Sequence, residues 1–195
     1  PVPREMLIGV DIALNDPGAA ESHAREILRR DRNSPMANYV MGSLALGKGD
    51  LADAEAYLRK AVATKKPSAF ALNDLSETLR LKGSLDEAET FARRVVAEFP
   101  SLYAGWDTLA NVILDRKGDA QEALACVQKS VELVTKDGRT VDAGVLLTLA
   151  RAQLQTTDRR LCGMTLRKLE SRLAELNDRQ RREYDAALQA LKSAK

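Results

Sequence analysis

The chain has 195 residues, enough for one domain with a substantial apolar core. Its 45% hydrophobic and 30% charged residues are typical of a globular protein, and a formal net charge of +2 does not favour nucleic-acid binding. No apolar run approaches the roughly 20 residues of a membrane span, and two cysteines with one histidine argue against a disulfide framework or a zinc site.

The first predicted helical segments occupy residues 1–34 and 35–68. Residues 1–34 carry Leu7, Ala20 and Ile27 around the turn sequence NDPG. Residues 35–68 begin at a proline and turn again at Gly49. Proline is favoured in the first turn of a helix and glycine just after the last, so each segment predicts a pair of helices.

The third segment shows this pattern most clearly. Residues 69–81 carry leucines at helical spacing, Gly83 breaks the helix, and Asp86–Glu98 carries a second apolar face. Residues 103–139 repeat the arrangement around Trp106, and residues 140–175 repeat it after a longer connection. A last helix follows Asn177, which with Gln180 is placed to cap it. No segment alternates apolar and polar residues, so we predict an all-α fold.

The same unit recurs along the chain. Gly49 and Gly83 are 34 residues apart, and alanines recur at equivalent positions: Ala20, Ala54, Ala88 and Ala123. A single helix pair cannot cover its own apolar stripe, whereas stacked pairs bury a continuous one. The repetition therefore predicts a solenoid of stacked helix pairs.

These residues resemble the tetratricopeptide repeat, a 34-residue helix–turn–helix unit. The resemblance rests on Met41-Gly42, Gly49-Asp50-Leu51, Leu75-Ser76 and Gly83, and on Trp106, Leu109-Ala110 and Gly118-Asp119. It implies a right-handed α-solenoid of about five repeats with a C-terminal capping helix. We expect one domain over 1–195, with repeats at about 1–34, 35–68, 69–102, 103–139 and 140–175 and the cap at 177–193.

The resemblance also implies that the first helix of each repeat faces a concave groove. Projecting those helices predicts a partner-binding set of polar and amphipathic side chains: Met36, Tyr39, Ser43, Phe70, Asn73, Glu77, Arg80, Asp107, Asn111 and Arg151. Amides and charges along a groove suit an extended peptide. The alternative is that they only keep an exposed surface hydrated. The lysines and asparagines that clamp the acidic tails of heat-shock chaperones in related repeats have no match here.

Other motifs favour ordinary structural explanations. Residues 42–48 spell G-x-x-x-x-G-K, but Gly49 replaces the Ser or Thr of a phosphate-binding loop and no strand precedes it. His23 has no nucleophile beside it in an identifiable arrangement. Cys126 and Cys162 lie among apolar residues and suit core positions. We therefore predict no enzyme, no cofactor and no metal site.

A recurrent set of basic residues lies on the second helices: Arg25, Arg59-Lys60, Arg93-Arg94, Lys129 and Arg167-Lys168. It suits either an anionic partner or a face neutralised by ion pairs within each helix. We favour ion pairs, because Glu21, Glu55 and Glu89 each precede an arginine by four residues.

We therefore predict a non-enzymatic adaptor that binds a protein or peptide partner, without nucleic acid or a membrane span. The alternative is an accessory module of a larger enzyme or of a cell-envelope or polysaccharide-export machine. A signalling-peptide sensor is a third possibility, but the chain lacks the DNA-binding helix pair that such proteins carry. The last helix suits a homodimer contact. The chain begins at Pro1, so we expect a trimmed segment of a soluble protein, either cytoplasmic or periplasmic.

Overall fold

The computed structural model describes residues 16–193, which form ten α-helices, one short 3-10 turn and no strand. The helices are α1 (Pro17–Arg30), α2 (Pro35–Lys48), α3 (Leu51–Val62), α4 (Ala69–Lys82), α5 (Leu85–Glu98), α6 (Tyr103–Asp115), α7 (Ala120–Lys136), α8 (Ala143–Gln155), α9 (Arg159–Glu170) and α10 (Asp178–Ser193). The 3-10 turn spans Leu173–Glu175. Leu7 and the first helix predicted for repeat 1–34 lie outside the described residues.

Short polar side chains cap the starts of several helices. Asp16 accepts from the Ala19 N–H at 2.9 Å, and Ser68 accepts from the Ala71 N–H at 3.0 Å. Prolines occupy the first position of α1 and α2, where a missing N–H removes no helical bond. These features fix where α1, α2 and α4 begin.

Two glycines end helices at the predicted turns. Gly49 and Gly83 adopt φ of 81° and 84°, in the left-handed region that other residues rarely enter. Each N–H bonds back to the final turn of its helix, which closes α2 and α4. The 34-residue spacing of Gly49 and Gly83 therefore reflects the same type of helix ending in two successive repeats.

The described residues divide between Phe91 and Ala92 into two compact units, and the division falls within α5. In the first unit, α1 packs on α2, α2 on α3, and α3 on α4. Its interior contains an α1–α2 cluster with Ala24 and Val40, and fully buried leucines on α3 and α4: Leu58, Leu72, Leu75 and Leu79. The Ser76 hydroxyl donates to the Ala88 carbonyl at 2.8 Å, which ties α4 to α5 within this unit.

The second unit has two apolar clusters. The first joins α6, α7 and α8 around Leu109, Ile113 and Val127, with Trp106 against it. The second joins α8 and α9 to α10, which contributes Tyr184 and Ala187. Asn177 and Gln180 exchange hydrogen bonds of 3.1 and 2.9 Å at the start of α10, as the sequence predicted. The prediction of a single domain stays a prediction.

Candidate functional site

A hollow of about 340 Å³ opens in the first unit where α2 and α4 begin. We call it the Met36–Phe70 hollow; it is lined by Ser34, Pro35, Met36, Tyr39, Ala61, Thr64, Lys66, Ser68, Phe70 and Ala71. Met36 is 42% exposed and Phe70 is 58% exposed, and no other large hydrophobic side chain of residues 16–91 is as open. Exposed apolar side chains beside a hollow are typical of a docking surface.

Local structure explains why these two side chains face outward. Each is the second residue of its helix, and each is followed by an alanine, Ala37 or Ala71, that is buried against the neighbouring helices. Successive residues of a helix point about 100° apart, so burying the alanine turns the preceding side chain away from the core. The 34-residue repeat places Met36 and Phe70 side by side.

A polar network joins α2 and α4 beside this hollow. Ser43 lies near both Tyr39 and Asp74, and Asn73 also lies near the Asp74 carboxylate. Burial, with a smaller contribution from the Glu77 charge, raises the pKa of Asp74 to about 6, against the lowering effect of Ser43 and Asn73. Burial and the Asp74 charge raise the pKa of Tyr39 to about 12. Three predicted residues therefore meet here, around a carboxyl group that helical projection did not identify.

Asp74 was not among the predicted site residues, because polar residues and leucines are interspersed along this segment and nothing distinguishes Asp74 from its neighbour Asn73. Helical projection places Asp74 near Phe70 and Thr78, a face that mixes apolar and polar residues. No spacing in the sequence marks it as the buried member of that face.

Glu77 and Arg80 pair with one another on α4. The Arg80 Nε and Nη2 atoms donate to the two Glu77 carboxylate oxygens at 2.7 and 2.6 Å. The Arg80 side chain is only 5% exposed, so it offers a partner little surface. Arg80 therefore ties Glu77 into α4, and the prediction that Arg80 contacts a partner stays a prediction.

The predicted residues of the second unit also bond to one another. Asn111 Nδ2 lies 3.3 Å from an Asp107 carboxylate oxygen and 2.9 Å from Thr148 Oγ1. Arg151 Nη1 donates to Asn111 Oδ1 at 2.7 Å. These contacts stabilise the packing of α6 against α8, whereas the sequence predicted a surface for a partner.

Several basic residues of the second helices form ion pairs, the arrangement favoured from the sequence. Arg25 bonds Glu21 at 2.7 Å, and Arg59 bonds Glu55 at 2.8 Å, each within one helix. Arg59 also donates to both Glu87 oxygens at 2.7 Å, and Arg93 donates to Glu122 at 2.8 Å. The hydrogen bond that Arg59 donates to Glu87 lowers the pKa of the Glu87 carboxyl group.

The remaining motifs have structural explanations. Gly42 and Lys48 lie within α2, so the G-x-x-x-x-G-K sequence forms no phosphate-binding loop. Cys126 and Cys162 are buried free thiols, and desolvation raises the pKa of Cys126 to about 11. No group of three or more metal-ligating side chains occurs within residues 16–193, and no helix of that range is long and apolar enough to cross a membrane.

Comparison with known proteins identifies the repeat. A family model described as tetratricopeptide repeat matches residues 10–70 and 39–102. Three solved structures have the same fold. TTC0263, a thermophilic TPR protein of Thermus thermophilus, has a TM-score of 0.66 and 20% identity over 95% of this chain and 97% of that chain. PilW, a type IV pilus biogenesis factor, has a TM-score of 0.66 and 18% identity over 93% of this chain and 79% of that one. YrrB, a TPR protein with an unusual peptide-binding site, has a TM-score of 0.65 and 16% identity over 98% of this chain and 91% of that one.

A search of curated proteins gave no match. The all-α helical-repeat fold predicted from the sequence is confirmed by the ten helices of the described residues and by these structures. The family model and the structural neighbours agree, which confirms the resemblance to tetratricopeptide repeat proteins predicted from the sequence.

Proposed function

We propose that the chain is a non-enzymatic protein-interaction module whose Met36–Phe70 hollow binds an apolar side chain of an extended partner segment. The observation that carries this proposal is the exposure of Met36 and Phe70 at one opening. Burying an apolar side chain there removes both surfaces from water, at roughly 25 cal/mol per Å². A hollow of about 340 Å³ has room for one large side chain of a partner.

The polar surroundings suit the backbone of such a segment. The lining of the hollow also includes residues that carry hydroxyl groups, among them Tyr39, Thr64 and Ser68. Hydroxyl groups donate and accept, so they satisfy peptide N–H and C=O groups that the contact takes from water. YrrB offers a precedent in this fold, since it has a peptide-binding site.

The alternative role, as an accessory module of a larger assembly, uses the same surface. PilW, which has this fold, is a pilus biogenesis factor. In that role the partner segment belongs to the same assembly. Both roles therefore predict that the hollow binds a peptide.

The test is selection of peptides from a random display library with the purified chain, followed by fluorescence anisotropy with one labelled selected peptide. We expect selected peptides to share one large apolar residue. The Met36→Ser and Phe70→Ser variants should each weaken binding by about tenfold, which corresponds to about 1.4 kcal/mol. Met164→Ser is the matched control, because Met164 is also 42% exposed but lies on α9 in the other unit. Equal loss in the control, or unchanged binding in both hollow variants, contradicts the proposal.

A further inference from the structure

A second hollow, of about 370 Å³, opens between α1, α2 and α3 of the first unit. We call it the arginine hollow; it is lined by Arg25, Leu28, Arg29, Arg32, Met41 and Tyr57. Three guanidinium groups surround it and no carboxylate lines it. Its floor is apolar, since Leu28 and Tyr57 pack against the α1–α2 cluster that contains Met41. The hollow therefore combines concentrated positive charge with an apolar base.

The charge in this hollow is incompletely neutralised. Glu21 accepts from Arg25 at 2.7 Å and from Lys48 at 3.1 Å, so one carboxylate serves two cations. Neither Arg29 nor Arg32 forms an ion pair with a carboxylate of residues 16–193. Lys60 adds a further cation, with its Nζ 6.0 Å from the centre of the Tyr57 ring.

The next repeat shows what is missing here. Arg59 lies 34 residues after Arg25 and bonds two carboxylates, Glu55 in its own helix and Glu87 in α5. The residue 34 positions before Glu87 is Asp53, whose side chain is one carbon shorter and makes no ion pair within the described residues. The second carboxylate of the Arg59 arrangement therefore has no counterpart at Arg25.

The backbone that carries Arg32 is held in place by a buried side chain. Asn38 is fully buried, and its Nδ2 donates to the Arg32 carbonyl at 3.0 Å and to the Ser34 carbonyl at 2.8 Å. These bonds fix the connection between α1 and α2 beside the hollow. A fixed backbone lowers the entropy that Arg32 loses when it binds an anion.

Arginine is suited to phosphate because its planar group donates two parallel hydrogen bonds to two phosphate oxygens. A phosphate monoester carries a charge of about −1.5 to −2 at pH 7, which needs more than one cation. Tyr57, Leu28 and Met41 offer the attached organic group an apolar surface. We propose that the arginine hollow binds a phosphate monoester, with its phosphate on Arg29 and Arg32 and its organic group on the Tyr57 floor.

This proposal is independent of the Met36–Phe70 hollow, because the two hollows share no lining residue. The test is isothermal titration of the full chain with phenyl phosphate at low salt and pH 7.5. We expect one saturable site whose affinity falls as salt is added, because salt screens exposed charges. Inorganic phosphate should bind more weakly, because it lacks the ring that covers Tyr57. Absence of saturable binding, or equal affinity for both ligands, overturns the proposal.

The variants separate this hollow from general positive charge. Arg29→Gln with Arg32→Gln should weaken phenyl phosphate binding by at least about tenfold, equivalent to about 1.4 kcal/mol. Arg93→Gln with Arg94→Gln removes two arginines from α5, which pair with Glu122 and Glu98, and should keep the wild-type affinity. Equal loss in both pairs overturns the assignment. Should the glutamine pair unfold the chain, Arg29→Lys with Arg32→Lys keeps the charge and removes the fork geometry, and unchanged affinity there counts against the proposal.

A membrane surface is the competing source of phosphate groups. Vesicles of phosphatidylcholine with phosphatidylglycerol, whose phosphates are diesters, should bind the wild type and the Arg29→Gln/Arg32→Gln variant equally weakly. Strong vesicle binding that this variant loses, together with no binding of phenyl phosphate, assigns the arginines to a lipid surface and overturns the proposal.

Discussion

Arg151 donates from Nη1 to the Asn111 side-chain oxygen at 2.7 Å, which joins α8 to α6 in the second unit. Its Nη2 donates to Asp115 at 2.5 Å, and Glu183 of α10 lies 3.4 Å from Nη1. One guanidinium therefore connects three helices. These bonds join Asn111 and Arg151 to the packing of the second unit, and their predicted contact with a partner stays a prediction.

Replacing Asn111 with alanine should lower the free energy of unfolding by about 1–3 kcal/mol, because it leaves Arg151 and Thr148 without a partner they now bond. Urea denaturation measures the change. Asn33→Ala is the control: Asn33 is exposed, and its only hydrogen bond within residues 16–193 runs from its backbone N–H to Asp31. It should change stability by less than about 0.5 kcal/mol. An Asn111 variant as stable as this control contradicts the structural role.

The contact between Asn111 and Arg151 could not be predicted from the sequence, for a physical reason. Helical projection gives the face on which a side chain lies, and Tyr39, Asn73 and Asp107 were placed correctly on the first helices of their repeats. Projection does not give the distance to the next helix. Asn111 and Arg151 are 40 residues apart in sequence, and only the packed structure shows that they meet.

Gly42 and Gly47 of α2 separate packing from helix propensity. A Cβ atom at Gly42 would lie 2.6 Å from Leu58 Cγ and 3.2 Å from the Leu58 backbone nitrogen, whereas at Gly47 it would meet nothing within 4 Å. Gly42→Ala should therefore cost about 1–3 kcal/mol, because α3 must shift. Gly47→Ala should be neutral or stabilising by up to about 1 kcal/mol, because alanine favours the helix. Thermal unfolding of both variants measures the difference. Similar effects of the two substitutions rule out close contact at Gly42.

Most of the fold could be predicted because its signals are local. The turn at Gly83, the proline start of α2 and the Asn177–Gln180 cap each depend on residues a few positions apart. The close contact at Gly42 fits the same kind of local signal, since a glycine inside an apolar helix usually has a packing reason. The arginine hollow could not be predicted in this way. The hollow depends on the absence of an ion pair between Asp53 and Arg25. That absence follows from a distance between two helices, which the sequence does not give.

Trp106 tests the register of the fourth repeat. Its position in the repeat predicts a buried ring, but the structure shows a half-buried one that packs on the Leu109 cluster. Its Nε1 donates to the Pro100 carbonyl at 2.8 Å. Trp106→Ala should therefore cost about 2–3 kcal/mol, below the roughly 3–5 kcal/mol of a fully buried aromatic. Trp106→Phe keeps most of the packing and should cost about 1 kcal/mol, the hydrogen bond alone. Chemical denaturation compares the two, and a larger loss in the phenylalanine variant contradicts this division.

Asp74 gives stability a dependence on pH. Burial raises its pKa from 3.8 in a model peptide to about 6 in the fold, so the native state holds this proton more tightly than the unfolded state. Stability from this group is therefore greatest below pH 4 and declines as pH rises towards 6. Carboxylates such as Glu21 and Glu55 act in the opposite direction, because hydrogen bonds from Arg25 and Lys82 lower their pKa values. Their stabilisation is lost at more acidic pH.

Comparison of the wild type with Asp74→Asn removes the contribution of the other carboxylates, which both proteins share. The unfolding free energy of the wild type, relative to the variant, should fall by up to about 3 kcal/mol as pH rises from about 3 to about 7 and stay constant above that range. Urea titrations at half-unit intervals of pH measure this difference. Asp53→Asn is the control, because it removes an exposed carboxylate from α3 and should follow the wild-type profile. A constant difference between wild type and Asp74→Asn across this range would show that the pKa of Asp74 is the same in the folded and unfolded states, so that the effects of Ser43 and Asn73 offset its burial.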